Sequence, residues 1–311
     1  MKNTQMKSPH FLQLANICLL ITGLLSWGKI AAQTTNGDSV QNANSAHVNE
    51  KKSPVKNTFE SNLILDNQTV MVPQKGTLEF DIQHRFGIVN NGYTDFYGVF
   101  APAIIRMGFE YVPVKNIQLG FGLCKDKMQL DFNVKYAIIN QQKNGIPVSV
   151  TYYGNIVIDT RSKSNFVSSG DRLSYFNQLL IARKIDSKIS VQAAISLSHF
   201  NNVPGYIDAD GVIRNSLQND QFTLSFMGRY KLSEKMAFLV DYDQPLTQNA
   251  TNNPFPELAF GLEITTSSHC FQIIAGNSQY ILPQNNALYN QNDLLKGQYL
   301  LGFNMTKLWS F

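Results

Sequence analysis

Residues 299–311 of the chain, YLLGFNMTKLWSF, alternate between two kinds of side chain. Every second position is apolar or aromatic, with only Lys307 interrupting the series: Tyr299, Leu301, Phe303, Met305, Trp309 and Phe311. The positions between them are mostly polar or small, as at Gly302, Asn304, Thr306 and Ser310. Because successive side chains of a β-strand point to opposite faces, this stretch predicts a strand with one apolar and one mostly polar face.

The sequence closes on an aromatic residue at the end of this strand, Phe311. In this respect the stretch resembles the closing strand of Gram-negative outer-membrane β-barrels, whose terminal aromatic strand is read by the barrel assembly machinery. The resemblance implies that Phe303, Trp309 and Phe311 form an assembly signal. The alternative is an edge strand of a soluble sandwich, but soluble proteins rarely leave a long aromatic edge unpaired because it invites aggregation.

Eleven further segments between residues 78 and 275 show alternation of the same kind. In one of them Ile105, Met107 and Phe109 alternate with Arg106 and Glu110, whereas the segment 172–184 is strand-like with an ambiguous phase. Twelve is an even number, as single-chain bacterial barrels require. We therefore predict an all-β fold, a single antiparallel up-and-down transmembrane β-barrel of about 12 strands.

The connections between these segments give an independent test, because outer-membrane barrels have short turns at one end and long loops at the other. The even-numbered connections are short: 114–116, 142–145, 186–187, 233–234 and 267–268. The odd-numbered ones are mostly long: 88–101, 160–171, 201–218, 244–256 and 278–296, with 125–127 as the exception. A soluble sandwich has no reason to sort its loops in this way.

The N-terminal part of the chain divides into two segments before the barrel. Residues 1–32 combine Lys2 and Lys7 with a short apolar stretch and Ala31-Ala32, which predicts a cleaved signal peptide. Residues 33 to about 60 are rich in Asn, Ser, Lys and Gln, which predicts a disordered periplasmic leader, bounded at residues 33–73. Two apolar patches in it, 63–65 and 70–72, are expected at the barrel mouth. The barrel itself is predicted over residues 74–311.

Composition excludes several classes of function. The net charge of +4 comes without a basic run long enough for nucleic acid. No metal-ligand spacing, P-loop or dinucleotide fingerprint is present, so we expect no metal and no cofactor. Cys124 and Cys270 are predicted at opposite ends of a wall about 25 Å tall. A disulfide needs Cα atoms within about 7 Å, so both thiols should be free.

Four short motifs carry a resemblance to a known family: residues 84–87 (HRFG), 105–108 (IRMG), 242–246 (YDQPL) and 265–269 (TTSSH). They are similar to an uncharacterised, domain-of-unknown-function family of predicted Gram-negative membrane β-barrel proteins. The resemblance covers roughly residues 74–311. It implies an outer-membrane location and contact with outer-membrane lipid, but it supplies no reaction and no catalytic residue.

Charged residues fall on the lumen phase of the predicted strands: Glu79, Asp81, Arg85, Arg106, Glu110, Asp131, Lys135, Arg229, Asp241 and Glu263, with Asp159, Lys231 and Asp243 in addition. They predict either a selectivity lining or an ion-pair network filling a narrow barrel. We expect the filled lumen. Arg106 and Glu110 are about 13 Å apart along one strand, so we expect the partners of Arg106 to come from other strands, such as Glu79, Asp81 or Asp131.

Three functions remain open on the sequence alone. The first is a small-solute channel or uptake barrel, to which the aromatic loop 90–98 would contribute if it folds inward rather than packing on the rim. The second is a non-conducting structural or partner-binding barrel. The third is a membrane-embedded hydrolase, but His84 and His199 lie on predicted strands 1 and 7, on opposite sides of the barrel. Ser267 and His269 lack an acidic partner, so we expect no enzyme.

Overall fold

The computed structural model describes residues 53–311, and their centre is a closed barrel of twelve antiparallel strands. β12 pairs with β1 and completes the ring. The strands are β1 (Thr77–Ile88), β2 (Ile104–Val114), β3 (Ile117–Cys124), β4 (Gln129–Ile139), β5 (Ser149–Asp159), β6 (Leu173–Lys184), β7 (Ile189–Phe200), β8 (Asp220–Lys231), β9 (Met236–Pro245), β10 (Glu257–Thr265), β11 (His269–Gly276) and β12 (Leu300–Ser310). The predicted architecture and strand number are confirmed.

The alternation of side chains places one face of each strand in the lumen and the other on the outside. The segment of ambiguous phase is β6, in which Phe176 and Leu180 are buried inside and Leu179 and Ile181 are exposed outside. Both faces of β6 carry apolar as well as polar side chains, so a period of two could not separate them.

The connections differ between the two ends of the barrel, which we call the turn end and the loop end. At the turn end, β2 and β3 are joined by Lys115 and Asn116, and Asn116 adopts the left-handed conformation. The loop end carries the helix α1 (Pro283–Tyr289), the hairpin Gly205–Ile207 with Ile213–Asn215, and the 3-10 helices Val89–Asp95, Asp126–Met128, Lys163–Asn165, Gly170–Arg172 and Leu294–Lys296. No helix within residues 53–311 is long and apolar enough to cross a membrane.

The lumen is filled from the turn end by residues 58–72, which we call the plug hairpin. Its arms Leu63–Ile64 and Asn67–Gln68 pair with each other. Before the hairpin, Ser53–Pro54 pairs with Gln142–Lys143 in a turn of the barrel. The apolar side chains of the hairpin are buried in one cluster with side chains of the barrel wall: Tyr153, Phe176, Leu180, Ala182, Ala194, Met227, Ala237, Leu239, Ala259 and Ile274.

This arrangement corrects the prediction of a disordered leader over residues 33–73 for the part that the structure describes. Phe59, Ile64, Leu65 and Val70 are at most 3% exposed and lie inside the barrel, not at its mouth. A hairpin of this length cannot form a core alone, but the barrel wall supplies the rest of that core. The predicted signal peptide and residues 33–52 lie outside the described residues.

From the loop end the lumen is covered by residues 277–296, which we call the outer cover and which contain α1. Leu282 packs against Cys124 and Val157 of the wall. The outer cover meets the plug hairpin directly, because the Ser278 hydroxyl donates a hydrogen bond of 2.7 Å to Asp66. The two segments together fill the barrel along its axis.

Candidate functional site: the occupied lumen

The centre of the lumen charges is Arg106 on β2, whose side chain is 7% exposed. Its guanidinium lies 3.0 Å from Asp81 of β1 and 2.8 Å from Asp131 of β4. It also lies 3.5 Å from Glu110 of its own strand. One cation therefore balances part of the charge of three buried or nearly buried carboxylates.

The contact between Arg106 and Glu110 corrects the expectation that the two do not pair. Gly108 lies between them on the same face of β2, and a Cβ atom at this position would collide with Asp81 and Arg106. Gly122 on β3 leaves similar room, since a Cβ there would collide with Asp131 and Arg106. The long Arg106 side chain leans along the strand over these glycines. Partners from other strands were also expected, and Asp81 and Asp131 fill that role.

A second cation, Arg85 on β1, binds the tip of the plug hairpin and is 1% exposed. Its guanidinium lies 2.7 Å from Asp66 and donates to the Leu65 carbonyl at 3.3 Å. It also donates to the Asn304 amide oxygen at 2.9 Å. The buried charge of Arg85 is thus matched by a carboxylate from the plug hairpin.

Glu79 and Lys135 hold the first arm of the plug hairpin at Asn62. The Lys135 ammonium donates to the carbonyls of Asn62 and Met71 at 3.2 and 3.4 Å. The Asn62 amide donates to Glu79. Nearer the turn end, Arg229 lies 2.8 Å from Glu263 and 3.8 Å from Glu60, which precedes the arm.

Uncharged amides of the wall bind the plug backbone, and charge-based sequence reasoning missed them. Gln272 accepts from the Leu65 amide at 3.1 Å and donates to the Leu63 carbonyl at 2.9 Å. Gln192 binds the Val70 amide and the Gln68 carbonyl in the same way, at 2.9 and 2.7 Å. The available signal was the lumen phase of these glutamines, because an amide offers both a donor and an acceptor to an extended chain.

The outer cover is fastened to the loop end by polar contacts. Asn285 donates to the Gln129 amide oxygen at 2.9 Å and Gln284 to that of Asn155 at 3.2 Å. The Lys127 ammonium lies 4.2 Å from the centre of the Tyr289 ring. Burial lowers the pKa of Lys127 and raises that of Tyr289 to about 12.

A hydrolase site would need a Ser or Asn beside His84 or His199 on a neighbouring strand, and the structure places other residues there. His84 stacks on Phe303 at 5.0 Å, and its cross-strand neighbours are Phe303 and Ile105. His199 lies 2.7 Å from Asp220, and its other cross-strand neighbour is Tyr175. Within residues 53–311 neither histidine thus has a Ser or Asn directly opposite it.

The second hydrolase candidate lies in the turn between β10 and β11. There it is Ser268, not Ser267, that contacts His269, at 3.4 Å. Lys307, the residue that breaks the apolar face of β12, donates to the same Ser268 hydroxyl at 2.6 Å. The contact explains the interruption, because the long side chain reaches a polar partner in the turn.

The remaining sequence-predicted residues are distributed as follows. Phe303, Trp309 and Phe311 lie on the outside of β12 and at its end, with Phe311 86% exposed. Cys124 and Cys270 are free and buried, which confirms the expectation for the thiols.

The aromatic first loop does not constrict the lumen, since Tyr93 and Phe96 are exposed. Asp241 and Asp243 accept from Asn67, Asp159 pairs with Arg161, and Lys231 pairs with Glu234 at the turn end. Within the described part of the chain, no three His, Cys, Asp or Glu side chains form a metal site.

Residues 59–309 match the family described as "Membrane bound beta barrel domain (DUF5777)". The chain belongs to this family. The match includes the plug hairpin as well as the barrel. Because closed, even-stranded barrels with short turns at one end and long loops at the other are the outer-membrane class, this DUF5777 protein is an outer-membrane barrel. Its turn end then faces the periplasm.

Several solved structures resemble this DUF5777 barrel. The NanC porin is 11% identical, with 75% of this chain and 99% of that chain covered and a TM-score of 0.45. An outer membrane channel from Pseudomonas putida F1 is 10% identical, with 77% and 97% covered and a TM-score of 0.46. No curated protein matches the chain. Nothing about transport carries over at these levels of similarity.

Proposed function

We propose that this DUF5777 barrel is non-conducting in its resting state and acts through its two ends as a structural or partner-binding barrel. The observation that supports the proposal is the contact of the plug hairpin with the outer cover inside the lumen, through Ser278 and Asp66. The spaces left at this junction are small. Two cavities there, one beside Asn155 and one beside Thr223, are each about 20 Å³, which is room for about one water molecule.

The lumen charges fit this role better than a selectivity lining. A lining works when water and ions reach the charged groups. Here Arg85, Lys135 and Asp131 are at most 1% exposed. Arg85 and Lys135 are bound by the plug hairpin, and Asp131 is bound by Arg106 of the wall. These buried charges hold the plug hairpin in the lumen and stabilise the wall around it.

A gated uptake channel is the second candidate, and one feature at the turn end favours it. A cavity of about 670 Å³ lies beside the start of the plug hairpin, lined by Asn57, Glu60, Lys184 and Lys231 among others. A periplasmic partner would find the stem of the hairpin accessible there. In this candidate, withdrawal of the hairpin opens the path.

Single-channel conductance in planar bilayers distinguishes these functions. The parent protein should show no steady conductance. Deletion of residues 58–72 should open the lumen, and so should the milder variant Asn62→Ala with Asp66→Ala, which loosens the hairpin and leaves the wall unchanged. Deletion of the hairpin 205–215 at the loop end is the matched control and should stay closed.

Steady conductance of the parent would overturn the resting closure. If a periplasmic extract opens the parent but not a variant whose plug stem is altered at Asn57 and Glu60, the gated channel replaces the structural role. If no extract opens it, the structural role stands.

A further inference from the structure

The loop-end half of the lumen contains two acidic side chains on neighbouring strands. The register pairs Asp243 of β9 with Glu257 of β10 on one side and with Ser225 of β8 on the other. Asp243 and Glu257 are directly opposite each other, a position in which two like charges destabilise a sheet. Glu257 is 5% exposed. Two carboxylates are therefore held side by side, with Glu257 buried and Asp243 partly buried.

A third carboxylate, Asp241, lies two residues before Asp243 on the same face of β9 and is 2% exposed. The Asn67 amide nitrogen of the plug hairpin lies 3.1 Å from both Asp241 oxygens and 3.0 and 2.9 Å from those of Asp243. The amide is oriented by Gln178, which donates to its oxygen at 2.9 Å. An amide has only two hydrogens for these four oxygens, and it carries no charge.

In the part of the chain that the structure describes, no cationic side chain balances this cluster. Within residues 53–311 Asp241, Asp243 and Glu257 form no ion pair, and the neighbouring Asp66 is already matched by Arg85. Burial of an uncompensated carboxylate is strongly unfavourable. Either protons or a bound cation must therefore neutralise the three groups.

Asp243 and Glu257 also line a small cavity. This cavity of about 20 Å³ is bounded by Asp243 and Glu257 of the wall, by Asn67 of the plug hairpin and by Asn286 of the outer cover. Thr223 also lines it and is 6% exposed, and its hydroxyl has no hydrogen-bond partner among residues 53–311. The cavity is large enough for one water molecule or one ion. The unpartnered hydroxyl points to an occupant of this cavity.

We propose that this cavity binds one hard cation, for which Ca²⁺ is the best fit. Of the three carboxylates that line the cavity, Asp66 is already paired with Arg85, which leaves Asp243 and Glu257 as ligands. The hydroxyl of Thr223 and water complete the set. Ca²⁺ takes six to eight oxygen ligands in flexible geometry, whereas Mg²⁺ demands a near-ideal octahedron. The ion would join the barrel wall, the plug hairpin and the outer cover. The proposal does not depend on whether the barrel conducts.

Thermal unfolding of protein refolded in an uncharged detergent, free of lipopolysaccharide, tests the site. Excess CaCl₂ should raise the Tm by about 5 °C, and MgCl₂ should raise it less. The double variant Asp243→Asn with Glu257→Gln should lose the response, while the control Asp210→Asn on an exposed loop should keep it. Thr223→Val keeps the charge and the shape, and it should weaken Ca²⁺ binding by calorimetry about tenfold.

Three results would overturn the proposal. The first is an equal rise in Tm with choline chloride at the same ionic strength, which would show screening only. The second is a Tm that is indifferent to CaCl₂ but rises as the pH falls, because protons would then neutralise the cluster. The third is an unchanged Ca²⁺ affinity in Thr223→Val. If the double variant does not fold, the Ca²⁺ affinity of Thr223→Val by itself tests the proposal.

Discussion

Arg106 contacts three carboxylates inside the barrel, so its removal should be among the most damaging single substitutions in the lumen. In Arg106→Ala the groups Asp81, Asp131 and Glu110 would stay in the lumen without their cation. Breaking a buried ion pair by removing one partner destabilises a protein by about 3–5 kcal/mol. We expect a loss of this size in the free energy of unfolding, measured by urea titration of the protein in lipid vesicles.

Arg214→Ala is the matched control at the residue scale. Arg214 also contacts a carboxylate, Asp208, at 2.7 Å, but its side chain is 58% exposed at the loop end. An exposed pair contributes about 0–1 kcal/mol, so this variant should unfold almost like the parent. If Arg106→Ala is as stable as Arg214→Ala and shows a cation-selective conductance, the lumen is wet and the closed state proposed above is wrong.

At the scale of the element, β12 has two separable roles. It closes the barrel by pairing with β11 and β1. Its last residue, Phe311, adds little to this pairing, because its side chain is 86% exposed. Its amide donates one hydrogen bond, of 3.3 Å, to the Gly76 carbonyl. The strand thus gives the barrel its closure through residues 300–310, and the terminal aromatic is left accessible to a partner.

Deletion of Phe311 should therefore affect assembly in cells more than stability in vitro. The side chain contributes at most about 1.5–3 kcal/mol through contact with lipid. We propose that its main role is recognition by the barrel assembly machinery, so outer-membrane levels of the variant should fall strongly while the purified protein still refolds. Phe260→Ala on β10 is the control, since it also removes a lipid-facing aromatic. Normal outer-membrane levels of the deletion variant would contradict this role.

At the scale of the whole molecule, the closed ring of hydrogen bonds should make the folded protein resistant to detergent. All backbone polar groups that face lipid must be paired, and the join between β12 and β1 leaves no open edge in the barrel. The protein should therefore stay folded in dodecyl sulfate without heating and should change its gel mobility when boiled. An identical mobility before and after boiling, together with recovery in the cytoplasmic fraction, would count against the membrane barrel.

The sequence by itself determined the barrel. The alternation in segments such as Ile105–Glu110, the even number of strands and the sorting of loop lengths all follow from local patterns, because a strand between lipid and lumen repeats every two residues. The inward phase of Arg106 and Asp131 could be predicted for the same reason. The free thiols followed as well, since strand order places Cys124 and Cys270 at opposite ends of the wall.

Only the tertiary structure decided what occupies the lumen. The plug hairpin has two apolar patches but is too short to form a core alone, and its order depends on a core that Leu180 and Leu239 of distant strands supply. The contact of Arg106 with Glu110 required the space over Gly108, and the cluster of Asp243, Glu257 and Asn67 joins strands with a segment far away in sequence. Periodicity reports which way a side chain points, but the partner it meets across the barrel depends on closure and register.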